Sequence, residues 1–409
     1  MRILFFAPRE CLPPNTGGKL RNYHLARELA RNAEVTYLAF KDDATASDQS
    51  ALAAKRVIAV EHKGRYGPAK LVRGLAGRTP LPVLNYTTRE MREALSALLR
   101  ENDFDTVQVE GIHLSAYLPI IRAAPSCPAI LCDWHNIESE LMRRYSEQAT
   151  ATRRFYAQLT ARKMERLERR AMEMFDLHTT VSERDRKRLL EIAPQSRALV
   201  IENGVDTHHH SDEEIEKAYS AWPERRGEDA RRDRVLFVGS MDYHANIDAA
   251  VNFARSRWPT IHSHHPGLKL TIVGRNPSAE VRSLASLPDV EVTGTVEDVR
   301  PYYREAAAAI VPLRVGGGSR LKILEAMAAG VPVISTRRGA EGLDVADGRN
   351  IILAETAEEF SRAIADLDEN HPLRLKLKEA ARSLVESKYD WSAIGAELMD
   401  AHRVVAGRE

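Results

Sequence analysis

Cysteine is scarce in this chain: Cys11, Cys127 and Cys132 are the only three in 409 residues, with no CxxC pair. That excludes a disulfide-stapled secreted fold and points to a reduced, cytoplasmic setting. A surplus of either charge is also missing. The 59 basic residues are matched by 58 acidic ones, so no overall field draws the chain to nucleic acid and no nucleic-acid partner is expected. Nor is there an apolar run near the ~18 residues of a membrane span. The start, "MRILFFAPRE", is too short for the apolar core of an export signal. Membrane contact is therefore expected to be peripheral, on the inner face. Two phosphate-binding patterns are absent as well. "GGGSRLK" (316–322) does not fit G-x-x-x-x-G-K-[ST], and neither candidate first strand runs into G-x-G-x-x-G with an acid further on. A P-loop kinase and an NAD-dependent dehydrogenase both lose ground.

What is present is ordinary globular material, 44% hydrophobic and 29% charged, in a chain long enough for two domains. "RILFFAP" (2–8) and "RVLFVGS" (234–240) begin alike, a basic residue before an unbroken apolar run. Such runs suit strands buried on both faces of a parallel sheet. Strand and helix patterns alternate after each: "KLRNYHLARELARN", "AEVTYLAF", "FDTVQVEG" and "PAILCDWHN" after the first, "IDAAVNFARSRW", "KLTIVG", "VEVTG", "AAAAIVPL" and "VPVIST" after the second. The expected fold class is α/β, with two Rossmann-like, doubly wound domains. The N-terminal domain is placed at 1–205, ending at the Asn203-Gly204 turn of "ALVIENGVD". The C-terminal domain is placed at 206–385, with 207–233 a polar linker or insertion. The segment 386–409, containing "YDWSAIGAELMDAHRVV", reads as a closing helix that crosses back to the N-terminal domain. Ligands in such proteins bind at the carboxyl ends of the strands, and a two-lobed chain is expected to use the cleft between its lobes.

The most informative stretch is "VGGGSRLKILEAMAAGVPVIST" (315–336). Ser319 is the expected N-cap of a helix, Leu321, Leu324 and Met327 its apolar stripe, and Gly330 with Pro332 its end. Gly316, Gly317 and Gly318 thus lead into a helix N-terminus, whose free N–H groups attract anions, and they let a phosphate approach the backbone. Arg320 and Lys322 add positive charge. Glu325, further along, can accept hydrogen bonds from paired sugar hydroxyls. Phosphate at the helix mouth with hydroxyls beside it describes a nucleotide or nucleotide-sugar.

The run "GGSRLKILEAMAAGVPVIST" resembles the nucleotide-binding signature of family 4 glycosyltransferases, retaining enzymes of the GT-B fold. The pieces "PNTGGKLRNYHLARELA", "TTVSERDRKRL", "VIENGVD", "LFVGSMDYHANIDAAVNF", "VEVTGTVEDVRPYYREAAAAIVPL" and "EGLDVADGRNIIL" follow the family's order over nearly the whole chain. More narrowly, the chain is similar to sugar transferases of exopolysaccharide biosynthesis systems. The resemblance implies a metal-independent transferase with no cofactor, using a UDP- or GDP-sugar donor and a glycan or lipid-linked acceptor. It assigns Gly17 and Gly18 to the donor sugar and phosphate, His135 to the transferred sugar, and Arg320 and Lys322 to the diphosphate. Glu325 falls to the ribose and the loop around Val296 to the base, with Gly239, Ser240, Arg275, Gly317, Gly318 and Ser319 completing the donor set. Two positions depart from the family. Gly317 stands where the first glutamate of E-x7-E belongs. Ser240, with Ala245 or Asn246, stands where an Arg and a Lys often follow the first strand of the second lobe, so Arg320 and Lys322 are expected to replace that charge. A GT-B nucleotide-sugar epimerase is the enzymatic alternative. A two-lobed solute-binding protein is the other, although it predicts an export signal.

Other signals are weaker. "DFD" (103–105) reads as turn-forming acids between a helix and a strand, and "HHH" (208–210) and "HSHH" (262–265) as loop histidines without matched ligands, so no metal site is expected. The segment 142–170 holds nine basic and three acidic residues interleaved with Tyr145, Phe155, Tyr156, Leu159, Met164 and Leu167. It reads either as a solvated helix packed on the first lobe or as a surface for anionic lipid.

Overall fold

Phe5 and Phe6, neighbours in the first strand, are both fully buried, on opposite faces of one sheet. Phe5 stacks on Tyr37 with ring centres 5.2 Å apart, and Phe6 meets Tyr117 edge to face. A strand buried on both sides needs helices on both sides, and the rest of the architecture follows from that requirement. A computed structural model describes residues 1–14, 16–41, 49–62, 67–148, 151–207, 233–241, 243–315 and 320–407.

The chain divides into two compact units, Met1–Asn203 with Ile394–Glu409, and Gly204–Ala393. The first holds β1 (Arg2–Ala7), β2 (Glu34–Phe40), β3 (Arg56–Val60), β4 (Thr106–Glu110), β5 (Ala129–Trp134), β6 (Leu177–Thr180) and β7 (Ala198–Val200). They form one parallel sheet in the order β3-β2-β1-β4-β5-β6-β7. The second holds β8 (Arg234–Val238), β9 (Lys269–Val273), β10 (Val290–Gly294), β11 (Ala306–Val311), β12 (Val333–Ser335) and β13 (Ile352–Leu353), parallel in the order β10-β9-β8-β11-β12-β13. Each unit is therefore a doubly wound α/β sheet of the expected class. The winding direction reverses between β1 and β4 and again between β8 and β11, and at such points loops leave the strand ends in opposite directions and open a ligand crevice.

Several boundaries differ from the sequence reading. The division falls at 203/204 rather than after 205, because Val205 bridges to Asp390 and its N–H donates to Tyr389 O at 2.8 Å. Residues 385–389 continue the helix His371–Leu384 as a widened turn, so the final helix runs from Trp391 to Val405 rather than from 386. From Ile394 onward it belongs to the first unit. Of the expected linker 207–233, residues 208–232 lie outside the described residues, and "HHH" with them. The segment 142–170 falls in two helices, Glu138–Gln148 and Ala151–Met172, joined by the Arg143–Glu165 ion pair at 2.7 Å. "HSHH" is not a loop: His262 and His264 end the helix Trp258–His264, with His262 paired to Asp289 and His264 and His265 on Ser361. "DFD" ties down the start of β1, Asp105 accepting from Arg2 N at 2.6 Å. Among the described residues no helix is long and apolar enough to cross a membrane.

Candidate functional site

In the N-terminal unit the polar residues gather at the β1/β4 switch point. β4 ends in Glu110 and β5 ends one residue before His135, while the helix Gly17–Asn32 starts just after the β1 loop. One turn into that helix, the wholly buried Arg21 reaches across the strand ends. Its Nε and Nη2 donate to the two oxygens of Asp133 at 2.7 and 2.9 Å. Its remaining N–H groups bond Ile201 O, Glu202 O and Asn203 Oδ1. A planar guanidinium is suited to this task because it carries five donors in fixed directions, and here all five find acceptors. The start of the helix is thereby pinned to β5 and to the chain leaving β7.

His135 Nε2 lies 2.8 Å from Glu110 Oε2 and 3.3 Å from Asp133 Oδ2. Burial alone would push the imidazole down, but its hydrogen bonds to Asp133 and Glu110, with their charges, outweigh this and hold it up at about 9. His135 is therefore an imidazolium at neutral pH. Burial would raise Asp133 too, yet the charge and hydrogen bonds of Arg21 keep it well below the usual carboxylate range. Glu110, raised by burial and by the Asp133 charge, is the less firmly ionised of the two. The Asn22 amide, turned with its nitrogen inward, donates to Glu110 Oε2 at 2.9 Å. Glu110, Asp133 and His135 place their donor atoms within 4.8 Å of one another, close enough to ligate a metal ion. Arg21 already supplies a positive charge to Asp133 in this cluster.

Gly17 and Gly18 are exposed at the N-terminus of the helix, whose first turn holds no acidic residue. A Cβ on Gly18 would stand 3.5 Å from His135 Nδ1. The N-terminal turn of the helix thus lies beside an imidazolium, an arrangement that favours an anion.

The C-terminal unit gathers its own group beyond β8, β9 and β10. The loops are fastened edge to edge by Gly239 N to Val273 O (3.0 Å), Met241 N to Arg275 O (2.9 Å) and Gly274 N to Gly294 O (3.2 Å). A Cβ on Gly274 would lie 1.8 Å from Gly239 O, so only glycine allows this approach. The bare face of Gly239 admits the Asn246 amide, which donates to Ser240 O at 2.9 Å. Lys322 Nζ donates to Asn246 Oδ1 at 2.8 Å, and Arg275 Nε donates to Ser240 Oγ at 2.8 Å. Lys322 and Arg275 are thus hydrogen-bonded to Asn246 and Ser240, two positions singled out in the sequence.

Lys322 is on the helix Leu321–Ala328, and burial pushes its ammonium down to about 8, Glu325 opposing and Arg320 adding to the shift. Glu325, one turn on, is half-buried and raised by burial, with Lys322 opposing. Arg320 is 5% exposed and donates to Arg338 O at 2.9 Å and Glu341 O at 3.4 Å, so it fastens the short helix Arg337–Ala340 after β12. The helix begins differently from the sequence reading: Arg320, not Ser319, is the N-cap, its carbonyl accepting from Ile323 N and Leu324 N. Its end is as expected, Gly330 at φ +69°. Val296 lies half-buried beyond β10 on the core. Gly317, Gly318 and Ser319 lie outside the described residues.

Sequence reasoning missed Arg21, Glu110 and Asp133. A signal was available for the two carboxylates: an acid at the carboxyl end of an otherwise apolar buried strand, as in "TVQVE" and "AILCDW".

Residues 16–209 match the model of Glycosyltransferase Family 4, and residues 232–370 match Glycosyl transferases group 1. A phosphatidyl-myo-inositol mannosyltransferase of Mycolicibacterium smegmatis is 28% identical over 218 residues, 52% of this chain and 53% of the relative. An uncharacterized 44.6 kDa protein in the cps region of Klebsiella pneumoniae is 26% identical over 170 residues, 40% and 44% of the two chains. The chain thus spans about half the length of the curated relatives it matches. Among solved structures, sucrose-phosphate synthase from Thermosynechococcus elongatus aligns over 100% of both chains with a TM-score of 0.66 at 16% identity. HepE of Anabaena, solved with UDP and glucose, aligns over 97% of this chain and 98% of its own with a TM-score of 0.61 at 15% identity. With both sheets wound as in these structures and family models matching most of its length, the chain belongs to the family 4 glycosyltransferases of GT-B fold.

Proposed function

We propose that this protein transfers a sugar from a UDP- or GDP-sugar to a glycan or lipid-linked acceptor with retention of configuration and without a metal. One observation carries the reading: Lys322, one turn from the half-buried Glu325, is braced on Asn246, and Arg275 is braced on Ser240 beyond the end of β8. The bond from Lys322 to an amide oxygen suits it to an anionic ligand, and Glu325 can accept from ribose hydroxyls.

As the glycosyl–phosphate bond breaks, negative charge grows on the departing diphosphate and the sugar becomes oxocarbenium-like. Fixed positive groups aimed at that oxygen are worth roughly 10²–10³ in rate apiece. Lys322 and Arg275 are suited to that task. The glycine run at 316–318 and Ser319 add backbone N–H groups in this reading, and the Val296 loop takes the base. Gly17, Gly18 and the His135 imidazolium orient the sugar and its phosphate. The acceptor hydroxyl attacks from the face the diphosphate leaves, its oxygen bonds the anomeric carbon, and its proton passes to the leaving phosphate oxygen. No separate base is required.

The mannosyltransferase relatives act, by their name, on phosphatidyl-myo-inositol, and another relative lies in a cps region. The first name favours an acceptor on a lipid, and in this reading the transfer takes place in the cytoplasm at the membrane's inner face, onto a lipid-linked or growing glycan. A thermal-shift screen over UDP-, GDP- and ADP-sugars tests the donor. A true donor at 100 times its Kd adds about 2.7 kcal/mol of stability. No shift with any sugar nucleotide overturns the reading.

A further inference from the structure

The closing helix carries a fully buried histidine, His402, 294 positions from its partner in β4. His402 Nδ1 lies 2.9 Å from Thr106 Oγ1, and Nε2 lies 2.7 Å from Gln108 Oε1. Gln108 Nε2 donates in turn to Glu110 Oε1 at 2.6 Å, and Glu110 Oε2 accepts from His135 Nε2 at 2.8 Å. All but the last residue are buried to 1% exposure or less. The chain thus runs without a break from the end of the protein to the histidine at the β5 loop.

Its polarity is fixed by chemistry. A carboxylate can only accept, so Gln108 must turn its NH2 toward Glu110 and its oxygen toward His402. That oxygen then requires a donor, which the Nε2–H of His402 supplies, while Thr106 O–H donates to Nδ1. Burial pushes the His402 imidazole down to about 3, so it is neutral with this single tautomer. Were His402 unable to donate, the Gln108 amide could reverse and present its oxygen to Glu110, repelling the carboxylate.

We propose that His402 is a positioning residue: through Gln108 it fixes the Glu110 carboxylate and so holds His135 in place beside Gly18. The role of His135 in sugar transfer rests on the function proposed above, whereas the coupling of His402 to His135 does not. Other groups face His135 and bear on its ionisation: Asp133 with Arg21 behind it, and also His113 and Glu138, which lie 3.8 Å apart. The hydrogen bonds of His402 go to Thr106 and Gln108, so a change at 402 reaches the ring through Gln108 and Glu110.

The test compares His402→Leu with His402→Gln, whose amide can still donate to Gln108. Ala401 and Val405 hold the helix on Leu131 and Leu177, so both variants are expected to fold. Should His402→Leu not fold, Gln108→Met breaks the same chain with His402 intact. Two readouts are taken on full-length protein. One is the His135 ring titration by NMR, assigned by its loss in His135→Gln. The other is UDP or GDP release from the matching sugar nucleotide. His402→Leu should lower the His135 pKa by about one unit or more. It should also reduce kcat roughly tenfold or more, with KM for the donor changed less than about twofold. His402→Gln should restore both. A folded His402→Leu with an unchanged His135 titration overturns the proposal, and so does a His402→Gln as impaired as His402→Leu. A shifted titration with no sugar transfer in the wild type would leave the coupling standing and remove the proposed function instead.

Discussion

Lys322 Nζ sits 2.8 Å from Asn246 Oδ1 and 5.8 Å from the centre of the Phe237 ring, a cation held by one amide oxygen and one aromatic face. Its neighbour Glu325 opposes the burial shift without closing an ion pair. An ammonium in this setting is costly to the empty protein and valuable to an anionic ligand. Lys322→Met is therefore expected to leave the Tm unchanged or higher while lowering kcat/KM by roughly 10²-fold. Arg320→Ala should do the reverse, lowering stability by about 1–3 kcal/mol as the Arg338 and Glu341 carbonyls lose their donor. Urea denaturation beside donor kinetics separates the two.

The same lysine predicts a pH signature. With a folded pKa of about 8, below the ordinary 10.5, it is largely protonated at pH 7 and loses its proton as pH rises through 8. A diphosphate favours the charged form, so binding above pH 8 must draw a proton from solvent. Donor affinity should fall by up to about tenfold per pH unit there. Calorimetry in two buffers of different ionisation enthalpy should register proton uptake at pH 8.5. The signal should be absent in Lys322→Met.

The Arg21–Asp133 pair predicts stability rather than rate. Removing one partner of a buried, bidentate pair costs about 3–5 kcal/mol, so Arg21→Leu should be among the most damaging single changes in the N-terminal unit. The pH dependence has two limbs. Asp133 is depressed by Arg21, so its stabilisation is present above its unfolded value and is lost as pH falls. His135 is raised to about 9, so its stabilisation is complete below about 6.5 and is lost as pH rises through 9. The urea midpoint of the wild type should decline between pH 6.5 and 9, and that of His135→Gln should decline less.

Much of the fold was legible because buried parallel strands announce themselves. "RILFFA" and "RVLFV" are unbroken apolar runs since helices cover both faces of β1 and β8. β3 escaped, because an edge strand is half-exposed and "RVIAV" carries too little apolar length to stand out. The glycine and charge pattern pointed to Lys322, Ser240 and Arg275, which the fold gathers beyond β8 and β9. The residues that hold them in place were not readable. Asn246 meets Lys322 across 76 positions, Arg21 meets Asp133 across 112 and His402 meets Gln108 across 294, spacings that no local pattern encodes. Nothing in "MDAHRVV" itself marks the histidine as buried, and the packing of that helix on the first sheet covers it.

Two glycines should respond in opposite ways to alanine. Gly274→Ala places a Cβ 1.8 Å from Gly239 O, backbone that cannot yield without opening the β8 and β9 loops. Loss of folding or several kcal/mol of stability is expected, as for an overpacked core site. Gly18→Ala makes only a 3.5 Å contact with His135 Nδ1. Its fold should survive, yet the methyl occupies the space an anion needs beside the imidazolium. Circular dichroism should therefore be normal for Gly18→Ala while donor turnover falls.

The paired helices Glu138–Gln148 and Ala151–Met172 supply the last prediction. Arg143 and Arg144 are engaged with Glu165 and Glu140, so they add little outward charge. Arg153, Arg154 and Arg162 are exposed, and Phe155 between them is 69% exposed. Lys163 donates to Gly74 O and Leu75 O, fastening the Ala151–Met172 helix to the end of the helix Pro68–Ala76, which shows Leu71, Val72 and Leu75 to solvent. Exposed apolar side chains beside exposed arginines, on two helices joined by a lysine, suit the surface of an anionic bilayer. Each cation near such a surface contributes about 1 kcal/mol, an attraction screened by salt. Reversing the charge at Arg153, Arg154 and Arg162 together should abolish co-sedimentation with phosphatidylserine-containing vesicles and leave the melting temperature nearly unchanged. Binding that persists in the triple variant, or that ignores salt in the wild type, would remove the membrane from the proposed reaction and leave a dissolved glycan as the acceptor.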